Sequence, residues 1–185
     1  MKFFSFLNYS LFIAAITILL AVVYATVQQS YRTGANDPQI QLTEDISNKI
    51  RQGQPIENIF RADTIDIAQS LSPFAVLYDA SGSPTKSTGY LNGKMAQLPA
   101  GVFEVAKQNG QDRVTWQPRR DVRVAMVVYY INSAPAQFVA AGRSLREVED
   151  REYNLRKMIF MGWIICMGLV MLNAGLQSYQ KRENP

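Results

Sequence analysis

VRVAMVVYYI, residues 122–131, carries apolar side chains on both parities: Val122, Val124, Met126, Val128 and Tyr130 on one, Ala125, Val127, Tyr129 and Ile131 on the other. A strand apolar on both sides is covered on both faces, so this segment is expected centrally in a sheet with helices above and below it. RVTWQP precedes it across Arg119-Arg120-Asp121, and AQFVAAGRSL follows across Asn132-Ser133-Ala134-Pro135. Together they read as a meander of three strands. Upstream, FAVLYD from Phe74 is a compact apolar run. DASGSP supplies turn chemistry, and TKSTGY gives a second short strand.

Between the two groups of strands, Asn92-Gly93 marks a turn, and Leu98-Pro99-Ala100-Gly101 introduces a helix over Val102 to Gln108 that stops at Asn109-Gly110. Before the strands, QQSYRTGAND is polar and weakly patterned. Asp37-Pro38 then places proline at the first position of a helix. Ile40, Leu42, Ile46 and Ile50 favour one side of it, and Gly53-Gln54-Pro55 ends it. A second short helix is expected over Thr64 to Leu71. The fold class is therefore α+β: a five-stranded antiparallel sheet, the amino-terminal helices on one face and the internal helix on the other.

Two apolar runs flank this domain. No residue between Lys2 and Arg32 is charged, and LFIAAITILLAVVYATV fills 11–27, with Tyr9, Phe12 and Tyr24 near its margins. It reads as a transmembrane helix over 10–27 after a short terminus, 1–9. A cleaved signal peptide, with Val23-Tyr24-Ala25 as the cleavage site, is the competing reading. From Met158 to Gln180 the chain is again uncharged, closing with Lys181 and Arg182. This gives a second transmembrane helix over 158–177 and a tail over 178–185. The hairpin leaves 28–157 on one side. A middle segment of that length is translocated largely regardless of its charge, so the domain is placed outside and both termini in the cytoplasm.

Composition narrows the function. With 185 residues and two spans, one soluble domain fits. A net charge of +4, with bases scattered among acids, makes nucleic acid a poor partner. The single cysteine, Cys166, lies in the second run, which leaves no intrachain disulfide and no thiolate cluster. There is no histidine, so no Ser-His-Asp triad, no HExxH zinc site and no phosphoacceptor imidazole. Asp79, Asp112 and Asp121 fall in separate loops without metal-ligand spacing. No enzyme, metal or cofactor is expected.

FAVLYDASGSPTKSTGYLNG, DRVTWQPRRDVRVAMVVYY and FVAAGRSLREVEDRE, set between two spans, resemble the extracytoplasmic PAS-like or Cache-type sensor domains of bacterial two-transmembrane receptors and sensor histidine kinases. The resemblance is architectural and covers most of the chain. It implies a sensory, ligand-binding module in a bacterial cytoplasmic (inner) membrane, of the kind found in two-component systems. After Leu176 only QSYQKRENP follows, without the kinase output domains. Signalling is thus expected through a membrane protein partner or a homodimer, or the chain is the sensory half of something larger. An accessory subunit of a membrane complex, with no small ligand, is the alternative.

In such a fold a small molecule would sit between the sheet and the segment crossing it. The candidates are Tyr78, Trp116, Arg123, Tyr129 and Arg143, with rings as walls and guanidinium forks for a carboxylate. Against this stands the plainer reading, in which the arginines are solvated strand ends and the rings are core packing. A juxtamembrane helix over 145–157 is expected to run unbroken into the second span. Its acids alternate with Arg146, Arg151 and Arg156, and Glu147 with Arg151 and Glu152 with Arg156 have the stabilising order. Heptad steps from Leu145 give Val148, Glu152, Leu155, Ile159, Gly162, Cys166, Leu169 and Asn173. Small residues at Gly162 and Cys166 and the amide of Asn173 make this face a helix–helix interface in the bilayer.

Overall fold

The computed structural model describes residues 2–60, 63–133 and 136–183. Two compact units arise, one of residues up to Tyr31 with those from Asp150 onward, the other Arg32–Glu149. The second holds the sheet. Its strands are β2 (Phe74–Tyr78), β3 (Pro84–Ser87), β5 (Gln111–Arg119), β6 (Val122–Ser133) and β7 (Ala136–Ser144), in the order β3-β2-β7-β6-β5 and antiparallel throughout. The α+β class and the five antiparallel strands are as expected. The central strand is β7, since the return from β6 pairs on its far side with β2. The long apolar strand β6 lies one place off centre.

Both faces of β6 are covered. Helix α4 (Ala100–Asn109) sets Val102, Phe103 and Ala106 against Val124, Met126, Val128 and Phe138. Helix α2 (Asp37–Arg51) covers the opposite face, with Ile46 against Ala75, Leu77 and Val139. Apolar spacing alone describes α2 incompletely, because Gln39, Thr43 and Ser47 are as buried as Ile46. Their polar atoms turn largely inward. Thr43 Oγ1 donates to Gln39 O and Ile40 O, while Gln39 Nε2 donates to Ala35 O and, across the interface, to Ala125 O at 3.2 Å.

Phe74 is the tightest seat in the core. It pairs directly with Gly142 across β2 and β7 and is 1% exposed. A Cβ on Gly142 would lie 2.6 Å from its Cζ, and one on Gly89 would lie 2.6 Å from its Cγ. The ring occupies room that two glycines leave free.

Thr64 to Leu71 is not a helix. It holds the two-residue strand β1 (Ile65–Asp66), which pairs in parallel with β4 (Gly89–Tyr90). Hydrogen bonds from Ile65 N to Thr88 O and Ile67 N to Tyr90 O fix it there, both at 2.9 Å. Its apolar residues at 65, 67, 68 and 71 mimic helical spacing, but Ile67 is held under the core by chain distant in sequence. The short helix of this region is α3 (Ile56–Ile59). TKSTGY is correspondingly split between β3 and β4. Of the turn between β6 and β7, Ala134 and Pro135 lie outside the described residues.

The other unit consists of most of α1 (Lys2–Gly34) and most of α5 (Arg146–Glu183). Both are long and apolar enough to cross a membrane. Helix α1 continues through the polar stretch after Val27, and α5 runs for 38 residues from just beyond β7 through the apolar segment without a break. Tyr9 Oη donates to Asn173 Oδ1 at 3.3 Å and Trp163 Nε1 to Thr17 Oγ1 at 3.1 Å, joining the two helices. Large apolar side chains such as Leu11, Ile18, Met161, Ile165 and Leu172 stay exposed.

Candidate functional site

The segment that crosses the α4 face of the sheet begins in a tight turn. Leu91 N donates to Lys94 O and Lys94 N to Leu91 O, at 2.8 and 3.0 Å. Asn92 and Gly93 sit at φ of 51° and 74°, the left-handed region that asparagine and glycine tolerate. Three bonds then hold the following residues to the domain. Tyr78 Oη donates to Ala96 O at 2.8 Å, Trp116 Nε1 to Gln97 O at 3.1 Å, and Gln97 Nε2 to Gly82 O at 3.3 Å.

Beneath this segment the space is filled by the protein's own rings. Phe103 lies 4.9 Å from Tyr78 and 5.0 Å from Phe138, centroid to centroid, in tilted geometry. Room for a ligand opens beside the segment instead. A cavity of about 400 Å³ is lined by Leu91, Lys94, Met95, Gln97, Trp116 and Pro118, with Asn92 at its rim. Its chemistry is one ammonium group, two amides and an indole face. That set suits a small molecule carrying an anionic group.

The five residues singled out in the sequence divide between the two faces of the sheet. Tyr78 and Trp116 share the α4 face with Val124 and Phe138, through the pairs Trp116 with Val124 and Tyr78 with Phe138. Tyr78 is fully buried, and burial pushes its phenol well above the usual value of 10.0. Trp116 borders the cavity. Arg123, Tyr129 and Arg143 have the parity of Ala125 and Val127, on the α2 side. Tyr129 Oη donates to Glu44 Oε1 of α2 at 3.2 Å. Its phenol is raised chiefly by desolvation, then by the Glu44 bond and charge, with Arg113 opposing.

The two arginines hold the start of α5. Arg123 forms an ion pair with Glu149, and Arg143 pairs with Glu147 through Nη2 at 2.6 Å while its Nε donates to Leu71 O at 3.0 Å. Arg146, absent from the sequence candidates, adds a bond from Nη2 to Gln69 O at 2.7 Å. Leu145 completes the junction. Its N donates to Arg123 O, and its carbonyl accepts the first helical bond, from Glu149 N. Lys94 and Gln97 are also missing from the sequence candidates, because they lie in irregular chain and become neighbours of Trp116 only through the crossing. The turn at Asn92-Gly93 was their one local signal.

Along α5 the positions of the expected face differ in burial. Val148, Gly162 and Cys166 are half-buried, as is Leu145 just before the helix, and Leu155 is 7% exposed. Farther along, the more covered positions are Val170 and Ala174 rather than Leu169 and Asn173. A strict heptad drifts about 20° per seven residues on a straight helix, which accounts for the slip. Asn173 still meets α1 through Tyr9. A Cβ at Gly162 would touch nothing within 4 Å, so its smallness is not required by packing inside this chain.

At the other side of the domain, Asp79 organises the β2–β3 turn. Its Oδ1 accepts from Ser81 Oγ at 2.6 Å, Ser81 N at 2.8 Å and Ser83 N at 3.0 Å. These bonds, led by the Ser81 hydroxyl, hold its carboxyl below the usual 3.8.

No family model matches the chain, and no curated protein does. Among solved structures, the ligand-binding domain of the amino-acid chemoreceptor PctC from Pseudomonas aeruginosa PAO1, in complex with GABA, matches with a TM-score of 0.43 at 14% identity. The match covers 74% of this chain and 62% of that one, so the chain spans less than two thirds of the chemoreceptor domain's length.

Proposed function

We propose that the chain is a membrane-anchored sensory module. Its PAS/Cache-like domain lies outside a bacterial inner membrane, binds a small molecule, and signals through a membrane protein partner or a second copy of the chain. The observation that carries this reading is the junction of β7 with α5. A helix that enters the apolar segment unbroken is fastened at its first turns by Arg123, Arg143 and Arg146 to the ends of the inner strands β6 and β7 and to residues 69–71. Such a joint converts a shift of these strand ends into motion of the helix. The cavity beside Trp116 is the proposed ligand site, with Lys94 as the partner for an anionic group.

The test is a ligand screen on the full chain in lipid nanodiscs, weighted towards small carboxylates and read as thermal stabilisation. A ligand at 100 times its Kd adds about 2.7 kcal/mol to the folded state. Lys94→Ala should abolish the stabilisation while leaving the unliganded transition in place; Trp116→Ala should abolish it too, with the unliganded transition lowered by the lost bond to Gln97 O and lost packing. A second reading, an accessory subunit without a small ligand, draws on the rings that fill the space under the crossing segment. A well-sampled screen without a hit, together with a stable partner recovered by crosslinking in membranes, would favour that reading.

A further inference from the structure

We propose that the α1–α5 hairpin binds, between its helices, an uncharged amphiphile whose carbonyl oxygen accepts from the side-chain amide of Asn173, which Tyr9 and Gln177 hold in place. The inference rests on the membrane reading above. A cavity of about 460 Å³ lies between the two helices, a volume ordinary for a small-molecule site. Its wall has two characters. Phe12, Ile16, Leu169 and Val170 line the body together with the Cys166 thiol, and the four polar residues gather at the end nearer the chain termini.

The polar end defines the head group. Asn173 Oδ1 already accepts two bonds, from Tyr9 Oη at 3.3 Å and Gln177 Nε2 at 3.0 Å. The Asn173 Nδ2 donor has no protein acceptor among the described residues. At the margin of the spans, beside Tyr9, water is scarcer than in bulk, and an amide donor left unpaired against the apolar wall is costly. A carbonyl oxygen brought by a ligand meets that need, whereas a plain hydrocarbon chain does not. Among the described residues no charged side chain lines the cavity, so an anionic or cationic head group would enter without a counter-charge from them. The apolar body then takes a chain or ring. Two common sources share this chemistry, a quinone ring and a glycerol monoester.

Cys166, the chain's single cysteine, lies in the cavity wall and reports occupancy directly. The full chain is placed in nanodiscs of ether-linked phosphatidylcholine, which has no carbonyl of its own. Alkylation of Cys166 by N-ethylmaleimide is followed by intact mass, with decylubiquinone, monoolein or dodecane added. Occupancy should slow alkylation by about tenfold when the free amphiphile reaches about nine times its Kd. The carbonyl compound that protects identifies the source, and dodecane should not protect.

Asn173→Leu, and independently the milder Tyr9→Phe, should reduce the protection while the chain still enters discs. Equal protection by dodecane, protection that persists in both variants, or no protection by either carbonyl compound would overturn the proposal. A charged, impermeant maleimide reacting with Cys166 as fast as the permeant one refutes the membrane reading itself.

Discussion

Gly142→Ala should destabilise the domain far more than a single added methyl suggests. The new Cβ would lie 2.6 Å from Cζ and 2.9 Å from Cε1 of Phe74, and 2.9 Å from Cγ1 of Val124. Carbon atoms in contact prefer separations of about 3.5–4.0 Å, so the ring would have to retreat by about 1 Å. It has nowhere to go, because the backbone at Gly89 closes its other side. Overpacking of this kind costs about 1–3 kcal/mol. Loss of glycine's backbone entropy offsets at most about 1 kcal/mol of that.

The assay is urea unfolding of the full chain in micelles, followed by Trp116 fluorescence in a Trp163→Phe background. The midpoint should fall with the m-value unchanged. Phe74→Leu alone also destabilises, by leaving a void, but combined with Gly142→Ala it supplies the missing room. The double variant should therefore be more stable than the sum of the single losses by about 1 kcal/mol or more. A Gly142→Ala chain within about 0.5 kcal/mol of the parent, or strict additivity in the cycle, would refute the seat described for Phe74.

Gly101→Ala is the natural contrast: its Cβ would meet nothing within 4 Å on helix α4, so it should stabilise by up to about 1 kcal/mol in the same assay. Tyr78→Phe removes a buried bond to Ala96 O and should cost about 1–2 kcal/mol at neutral pH. Because the native phenol titrates above its unfolded value of 10.0, wild-type stability falls as the pH rises past 10.0; the unfolded chain there releases a proton that the native chain retains, and the variant should lose this part of the alkaline slope in matched denaturation curves. Thr17→Val removes the acceptor for Trp163 Nε1 and should loosen the helix pair by about 0.6 kcal/mol, read as faster hydrogen exchange across both helices in nanodiscs. Gly162→Leu should leave the α1–α5 pair intact, as judged by intramolecular crosslinking, and any loss of association between copies would assign that face to a second chain.

The strands were legible because their signals are local. Turn residues bound FAVLY and the three-strand meander, and β6 shows its two covered faces in its own composition. The internal helix announced itself through Pro99 and the left-handed Gly110 at its end. What escaped was set by distant chain. Ile65 to Leu71 has helix-like spacing, and its conformation is decided by Thr88 and Tyr90. The polar line of Gln39, Thr43 and Ser47 was invisible to an apolar count; Thr43 enters the interior by bonding to its own helix, and Gln39 by bonding to Ala35 O and, across the interface, to Ala125 O. The candidate site was legible in part. Trp116 borders a cavity, but whether a strand residue faces α2 or α4 depends on register, and no single residue type reveals that Lys94 and Gln97 come to lie beside it.

The environments of Asp79, Tyr78 and Tyr129 have a consequence for how the molecule can be studied. The turn hydrogen bonds lower the acid, and burial raises both phenols, so each shift moves away from neutrality. With no histidine in the chain, the side-chain types that ordinarily titrate between about pH 5 and 8 are absent from the domain. Across that range no imidazole changes charge in the domain. A pH dependence of binding in that range therefore cannot be assigned to an imidazole of this chain.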